Sequence, residues 1–354
     1  MSKMDRSLSS LSRRRLLGAG AAAAAAVAMP MRAGLASTNS RMTLVSWGGA
    51  YREAVEQAVV KPFTEETGIR VTIVDTPDLA KLRAQIRSNN VQWDVFDAPN
   101  ALGVAGVNAG FWEPLDLDMF DRSDLVVDIR NNLVPWYLFV GGIAWDPKRH
   151  GAGQHPRNFA EYFDTQKFPG LRTFRNRPSE TLEAALLADG VPARELYPLD
   201  VDRAFKALDR IKSSVVKWVE QTPQSLTLLQ TGEADYSYSY ASRVKPAQAS
   251  GQSVAFSFDQ TIAGFEYLAV VKNAPNKQAA MQFVAYAAKP ECQAAFMELL
   301  GNAPGSKKAR SMMSEQALKW IPDLESESVV LMDDAWWTTN FDEITRRFKE
   351  WSLS

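Results

Sequence analysis

At 354 residues the chain is long enough for two lobes of ordinary size, each with its own core. Lys and Arg number 40 against 41 Asp and Glu, and the first 36 residues are strongly basic, so the remainder is acidic; that balance argues against nucleic acid or an anionic membrane surface as partner. Cys292 is the only cysteine, which excludes an internal disulfide, and the two histidines, His150 and His155, share one Gly/Pro/Arg-rich turn that offers no ligand set for a metal.

The chain opens on Ser12-Arg13-Arg14-Arg15-Leu16-Leu17, followed by an alanine-rich run from Ala19 to Ala28 and by Gly34-Leu35-Ala36. Arginines ahead of a weakly apolar stretch and a small-residue cleavage site predict a twin-arginine export signal over residues 1–36. The apolar stretch Leu16 to Met29 ends at Pro30 and is short of the roughly 20 strongly apolar residues that a membrane span needs. Cleavage before Ser37 would release a soluble chain into the periplasm.

Met42 to Ser46 has strand character and breaks at Trp47-Gly48-Gly49. Ala54, Val55, Ala58, Val59 and Phe63 recur at helical spacing from Tyr51 to Thr67, and Gly68 supplies the stop. Ile69 to Val74 alternates as a strand, Leu79 to Arg87 is helical, and Trp93 to Asp97 is a short strand ending at Ala98-Pro99-Asn100. Strand, helix, strand, helix, strand predicts a parallel sheet covered on both faces, with a ligand site at the carboxyl ends of its strands. A second pattern begins near Leu138 to Trp145 and continues through helices at Thr181–Ala188 and Asp202–Ser213. Strands at Tyr236–Tyr240 and Val254–Phe256 close it. Phe265 to Val271 is again a strand, followed by helices at Lys277–Ala288 and Pro290–Leu299 and a tail carrying Trp336, Trp337 and Trp351. The expected architecture is α/β with two lobes, residues 37–139 plus 263–354 and residues 140–262. Crossing strands near Phe139–Gly142 and Ser257–Phe265 act as its hinge.

In this order, Trp47-Gly48-Gly49-Ala50-Tyr51, Pro62-Phe63, Glu66-Thr67-Gly68, Trp93-Asp94-Val95 and Gly110-Phe111-Trp112-Glu113-Pro114-Leu115 resemble the extracellular solute-binding proteins of ABC importers, specifically the spermidine/putrescine-binding group. Gly142-Ile143-Ala144-Trp145, Leu229-Gln230-Thr231-Gly232-Glu233, Val271 to Asn276 and Lys289-Pro290-Glu291 extend the likeness over nearly the whole chain after the leader. The resemblance implies a two-lobed periplasmic binding protein fold of type II, each lobe a mainly parallel sheet flanked by helices. It also implies a small organic solute held between the lobes as the ligand, and an inner-membrane ABC permease as the partner of a monomer.

Trp47 and Tyr51 flank two glycines at a strand end, which leaves aromatic faces over accessible backbone N–H groups, suited to a flat ligand or an ammonium; Asn100 ends the third strand and joins them as a candidate. Polyamine-binding relatives carry an aspartate in a Trp-x-x-Asp stretch at the point where this chain has Tyr240-Ala241-Ser242-Arg243. Arg243 would repel a polyamine and offer a planar fork to a carboxylate. Arg172 to Glu180 likewise gathers arginines where those relatives present acids: Arg175 is taken as a ligand contact, Arg172 and Arg177 as a solvated loop. Glu180 and Glu266 remain to receive an amine, and Tyr240 lies beside Arg243. A small carboxylate or amino-acid-like solute therefore fits better than spermidine or putrescine.

Tyr236, Tyr238 and Tyr240 share one face of a strand, which raises a ferric iron carrier as an alternative; a packed aromatic face is the simpler account, and no metal or cofactor is expected. An exported enzyme is disfavoured, because no G-x-S-x-G elbow is present and the histidines cannot supply acid–base chemistry. A sensory binding protein would use the same lobe closure as a transporter component.

Overall fold

The computed structural model describes residues 40–353. The export leader expected over residues 1–36 lies outside them. Strands β1 (Arg41–Ser46), β2 (Arg70–Asp75) and β3 (Val95–Pro99) are parallel, in the order β2-β1-β3. The helix after β1 runs through Ala50–Val55, a wider π-helical stretch at Glu56–Val60, and Lys61–Thr67. Pro62 explains the widening: it has no N–H to give, and its ring crowds the carbonyl one turn back. Phe63 on this helix packs edge-on against Phe283 at 5.2 Å, which seats it against the helix Lys277–Ala287.

β4 (Val134–Trp145) is buried along all twelve residues, then come β5 (Arg172–Arg175), β6 (Val215–Val219), β7 (Tyr236–Tyr240), β8 (Ala255–Phe256) and the long β9 (Thr261–Val270). Two short strands, β10 (Ala303–Pro304) and β11 (Val329–Leu331), add to β4 and β9. The continuous order is β2-β1-β3-β9-β4-β7-β5-β6. One end is a parallel group from the first hundred residues; the other is the parallel group β7-β5-β6. Antiparallel β4 and β9 join the two groups, with Phe139 opposite Gly264 and Gly141 opposite Ile262, where crossing strands were expected. Gly141 is required there because a Cβ would stand 2.0 Å from the Tyr238 hydroxyl.

Beyond the short β10 and β11, which the sequence reading passed over, two strands differ from it. Arg172–Arg175 is a buried strand rather than part of a solvated loop, and Val215–Val219 is a strand that no pattern announced. Arg172 is fully buried because backbone carbonyls surround its guanidinium: Nε donates to Tyr162 O at 2.9 Å, Nη1 to Gly170 O at 2.5 Å, and Nη2 to Phe168 O. The charge is solvated by the protein, so its presence in the sequence does not signal a surface.

The tryptophan-rich tail is one helix, Asp334–Leu353. Near its start Asp334 accepts from Asn100 Nδ2 at 2.8 Å and from Tyr267 OH at 2.5 Å. Further along, Trp351 packs on Trp218 of β6 and donates to Asp209 at 2.7 Å. The tail thus reaches from the central strand β9 to the edge strand β6.

Candidate functional site

Where the carboxyl ends of β1, β3 and β7 meet the crossing strands, a small cavity of about 40 Å3 is lined by Trp47, Tyr51, Tyr137, Tyr240, Arg243 and Glu266, with Pro99, Phe139, Arg177, Thr222 and Ser242 completing the wall. β1 ends at Ser46, and Gly48-Gly49 turns the chain into the next helix. Gly49 has φ 68° and ψ −150°, a region open essentially to glycine, and a Cβ there would press on Pro223 at 3.2 Å. The turn leaves the Gly48 carbonyl facing Arg243.

Arg243 stands in the first turn of the helix Ala241–Ala249, which begins directly after β7. Its Nη1 donates to Gly48 O at 2.7 Å and its Nη2 to Thr222 Oγ1 at 2.5 Å, and its guanidinium lies 5.5 Å from the centre of the Tyr51 ring. Among the described residues it has no ion-pair partner. Burial pushes it down to about 10. A cation in the first turn also faces the positive end of the helix dipole.

Glu266, on β9, accepts from Trp47 Nε1 at 2.9 Å. It lies one pleat along from Asp97, because Pro99 of β3 is its direct cross-strand partner, and the two carboxyl groups are within hydrogen-bonding reach. Asp97 Oδ2 accepts from Ser46 Oγ at 2.6 Å and from Tyr51 OH at 2.9 Å, and Tyr137 OH donates to the Tyr51 oxygen at 2.8 Å. Burial raises both carboxyls, and for Glu266 the neighbouring Asp97 raises it further. Burial and those same carboxylates hold the Tyr51 and Tyr137 phenols well above their ordinary range.

The second cluster sits under β7. Glu180 is buried with φ 70°, a backbone state rare for a side-chain-bearing residue, and caps the helix Thr181–Ala188. Its carboxylate takes three partners: Arg177, Tyr238 OH at 2.9 Å and Tyr240 OH at 2.7 Å. Arg177 Nη2 also reaches Tyr240 OH at 3.0 Å. Burial works to lower the Arg177 pKa, but Glu180 beside it prevails and holds it above its usual range.

Of the residues expected at the site, Trp47, Tyr51, Tyr240, Arg243 and Glu266 surround one cavity. Asn100 is placed differently: it is directed at Asp334 of the C-terminal helix and at Ala101 N, away from the lining. Arg175 lies behind Tyr240, donating to the carbonyls of Val219 and Glu220 at 3.2 and 3.1 Å, with burial lowering it. Glu180 is enclosed by its own partners. Arg177, taken from the sequence as a solvated residue, is instead a wall of the cavity, because Glu180 and Tyr240 hold it inward. Sequence reasoning passed over Asp97, Tyr137, Phe139 and Thr222. Tyr137 and Phe139 share a face by alternation, but β4 is apolar throughout and buried on both faces, so the pattern marks neither face.

This sheet, crossed by two long strands with a charged cavity at the strand ends, is that of periplasmic binding proteins. The Atu4243-GABA receptor superimposes with a TM-score of 0.78 at 35% identity, over 88% of this chain and 97% of that one. The periplasmic binding protein AgtB of A. tumefaciens R10, in complex with agropinic acid, gives 0.82 at 28% identity over 89% and 99%. The description "Bacterial extracellular solute-binding protein" matches residues 58–320, and the chain belongs to that family. The gamma-aminobutyric acid-binding protein of Pseudomonas aeruginosa is 31% identical over 330 residues, covering 90% of this chain and 93% of that protein. No helix among the described residues is long and apolar enough to cross a membrane.

Proposed function

We propose that the protein captures a small amino-acid-like zwitterion, of the 4-aminobutyrate type, in the cavity between its two sheet groups and delivers it unchanged to an ABC permease. Arg243 carries the reading. It is a buried guanidinium whose partners are a carbonyl and a hydroxyl, both neutral, and it faces a cavity that also holds Glu266. A ligand carboxylate supplies the counter-charge that the protein omits, in the bidentate geometry a guanidinium favours. Glu266 and the Trp47 and Tyr51 rings receive the ammonium end. The relatives named for 4-aminobutyrate and the agropinic acid complex support an acidic ligand, and Arg243 weighs against the polyamine alternative.

The lobes of this reading are residues 37–139 with 263–354 and residues 140–262, hinged at β4 and β9. Arg243 to Gly48 and Thr76 Oγ1 to Gln221 Oε1, 2.9 Å, are bonds that would tie the lobes when closed. Export by a twin-arginine leader ending near Ala36 and work in the periplasm as a monomer complete it.

The test is calorimetry of 4-aminobutyrate on Arg243→Ala. Truncating one side of a buried, hydrogen-bonded charge pair costs about 2–5 kcal/mol, which is roughly 30-fold to several-thousand-fold in Kd. Unchanged affinity in the variant, with its fold intact by circular dichroism, removes Arg243 from the site.

A further inference from the structure

The cavity holds more ionisable groups than a zwitterion needs. Three arginines lie in or against it, Arg175, Arg177 and Arg243, and three carboxyl groups, Glu180, Asp97 and Glu266. Glu180 is committed to Arg177. The other two carboxyl groups approach each other on one face of the sheet, in a pocket whose surrounding donors are too few for two anions. From β1, Ser46 donates to Asp97, and from the helix that follows, Tyr51 does the same. Trp47 donates to Glu266. Tyr137 of β4 is engaged with Tyr51, and the cations that act on the pair through space, without a direct contact, are Arg243 on Asp97 and Arg177 on Glu266. Asp97 Oδ1 is buried without any hydrogen-bond partner. A proton held between the two carboxyl groups satisfies that oxygen and removes the repulsion.

We propose that Asp97 and Glu266 form a proton-exchanging seat: they hold one proton between them in the free protein and release it to solvent when the ammonium of an amino acid docks on Glu266, whereas a simple carboxylate docking on Arg243 leaves the proton in place. The ammonium brings its own positive charge and N–H donors, so it takes over what the shared proton did. The proton balance then differs between ligand classes. A zwitterion binds with both carboxyl groups ionised and one proton expelled. An amine-free monoanion binds with the proton retained, so the same cavity accepts it without an unpaired buried anion. The upward displacement of both carboxyls by burial, with Asp97 raising Glu266 further, agrees with a proton held at neutral pH.

This inference rests on the amino-acid reading above, and its test separates the two. Titration calorimetry at about pH 7 with 4-aminobutyrate and with butyrate, in two buffers of different ionisation enthalpy, counts the protons exchanged. Neither probe titrates near that pH, since free carboxyls and alkylammonium groups lie far to either side. The expected result is close to one proton released per 4-aminobutyrate and close to none per butyrate. The 4-aminobutyrate affinity should accordingly rise with pH by up to about tenfold per unit while that of butyrate stays flat. In Asp97→Asn only burial is left to raise Glu266, so release should fall below that of the wild type while 4-aminobutyrate still binds. Binding of 4-aminobutyrate without proton release, or equal release by both probes, overturns the seat and leaves the amino-acid reading standing. Absence of binding by either probe overturns the reading itself and the seat with it.

Discussion

Arg177 and Arg243 line one cavity from the same side of the crossing strands, and the protein treats them in opposite ways. Arg177 is matched by Glu180 three residues later, and two tyrosine hydroxyls hold that carboxylate in place. Arg243 is given only a carbonyl and a threonine hydroxyl, and burial lowers its pKa. A count of arginines would make the cavity doubly cationic. The partners leave one guanidinium, Arg243, without an ion-pair partner among the described residues, which is what the proposed carboxylate ligand would answer. What a buried charge offers a ligand is set by what the protein has already placed beside it.

Breaking the internal pair is the most direct way to erase that contrast. Glu180→Ala leaves Arg177 buried and unpaired and deprives Tyr238 and Tyr240 of their common acceptor, so it should cost about 3–5 kcal/mol of folding stability, read by denaturant unfolding. A loss under 1 kcal/mol would mean that Arg177 turns to solvent freely, and its difference from Arg243 would vanish.

A smaller effect sharpens the comparison one turn further along the same helix. Glu183 is also buried, but its partners are Tyr197 OH at 2.6 Å and Trp337 Nε1 at 2.9 Å, with no arginine. Burial pushes it up to about 7, from an ordinary value of 4.5. Between those two pH values the folded state keeps a proton that the unfolded chain has released, so stability falls as pH rises, and above 7 the full cost of ionising Glu183 is present. Glu183→Gln removes the titration and should flatten the stability change between pH 5 and 8 by on the order of 2–3 kcal/mol. An unaltered slope would show that Glu183 is ionised in the folded protein, as a carboxylate beside arginine would be.

The parallel group β2-β1-β3 was legible because each strand was bounded by a periodic helix and by glycine or proline, and the crossing at Phe139–Gly142 was legible from a long apolar run. β5 was not, since its two arginines imitate a surface and only the folded chain reveals the carbonyls that solvate Arg172. The site followed the same division. Trp47, Tyr51 and Arg243 stand at strand ends, which topology marks. Asn100 stands at a strand end too, but Asp334, 234 residues away, draws its side chain to the other face. Arg177 pairs locally with Glu180, but Tyr240, 63 residues away, helps hold that pair at the cavity, and Asp97 depends on Glu266; no local spacing encodes these distant pairings.

The central claim is that the cavity requires a negative ligand end at Arg243 and takes a positive one, where the ligand has it, at Glu266. Putrescine and 4-aminobutyrate are nearly equal in length and differ in having an ammonium or a carboxylate at one terminus. Competition calorimetry of the two on the wild-type protein tests the claim most directly, because docking a second ammonium at Arg243 loses the charge pair and adds repulsion. The account predicts that 4-aminobutyrate binds at least about 100-fold more tightly, a difference of roughly 3 kcal/mol. Putrescine binding as tightly as 4-aminobutyrate, or more tightly, would contradict it.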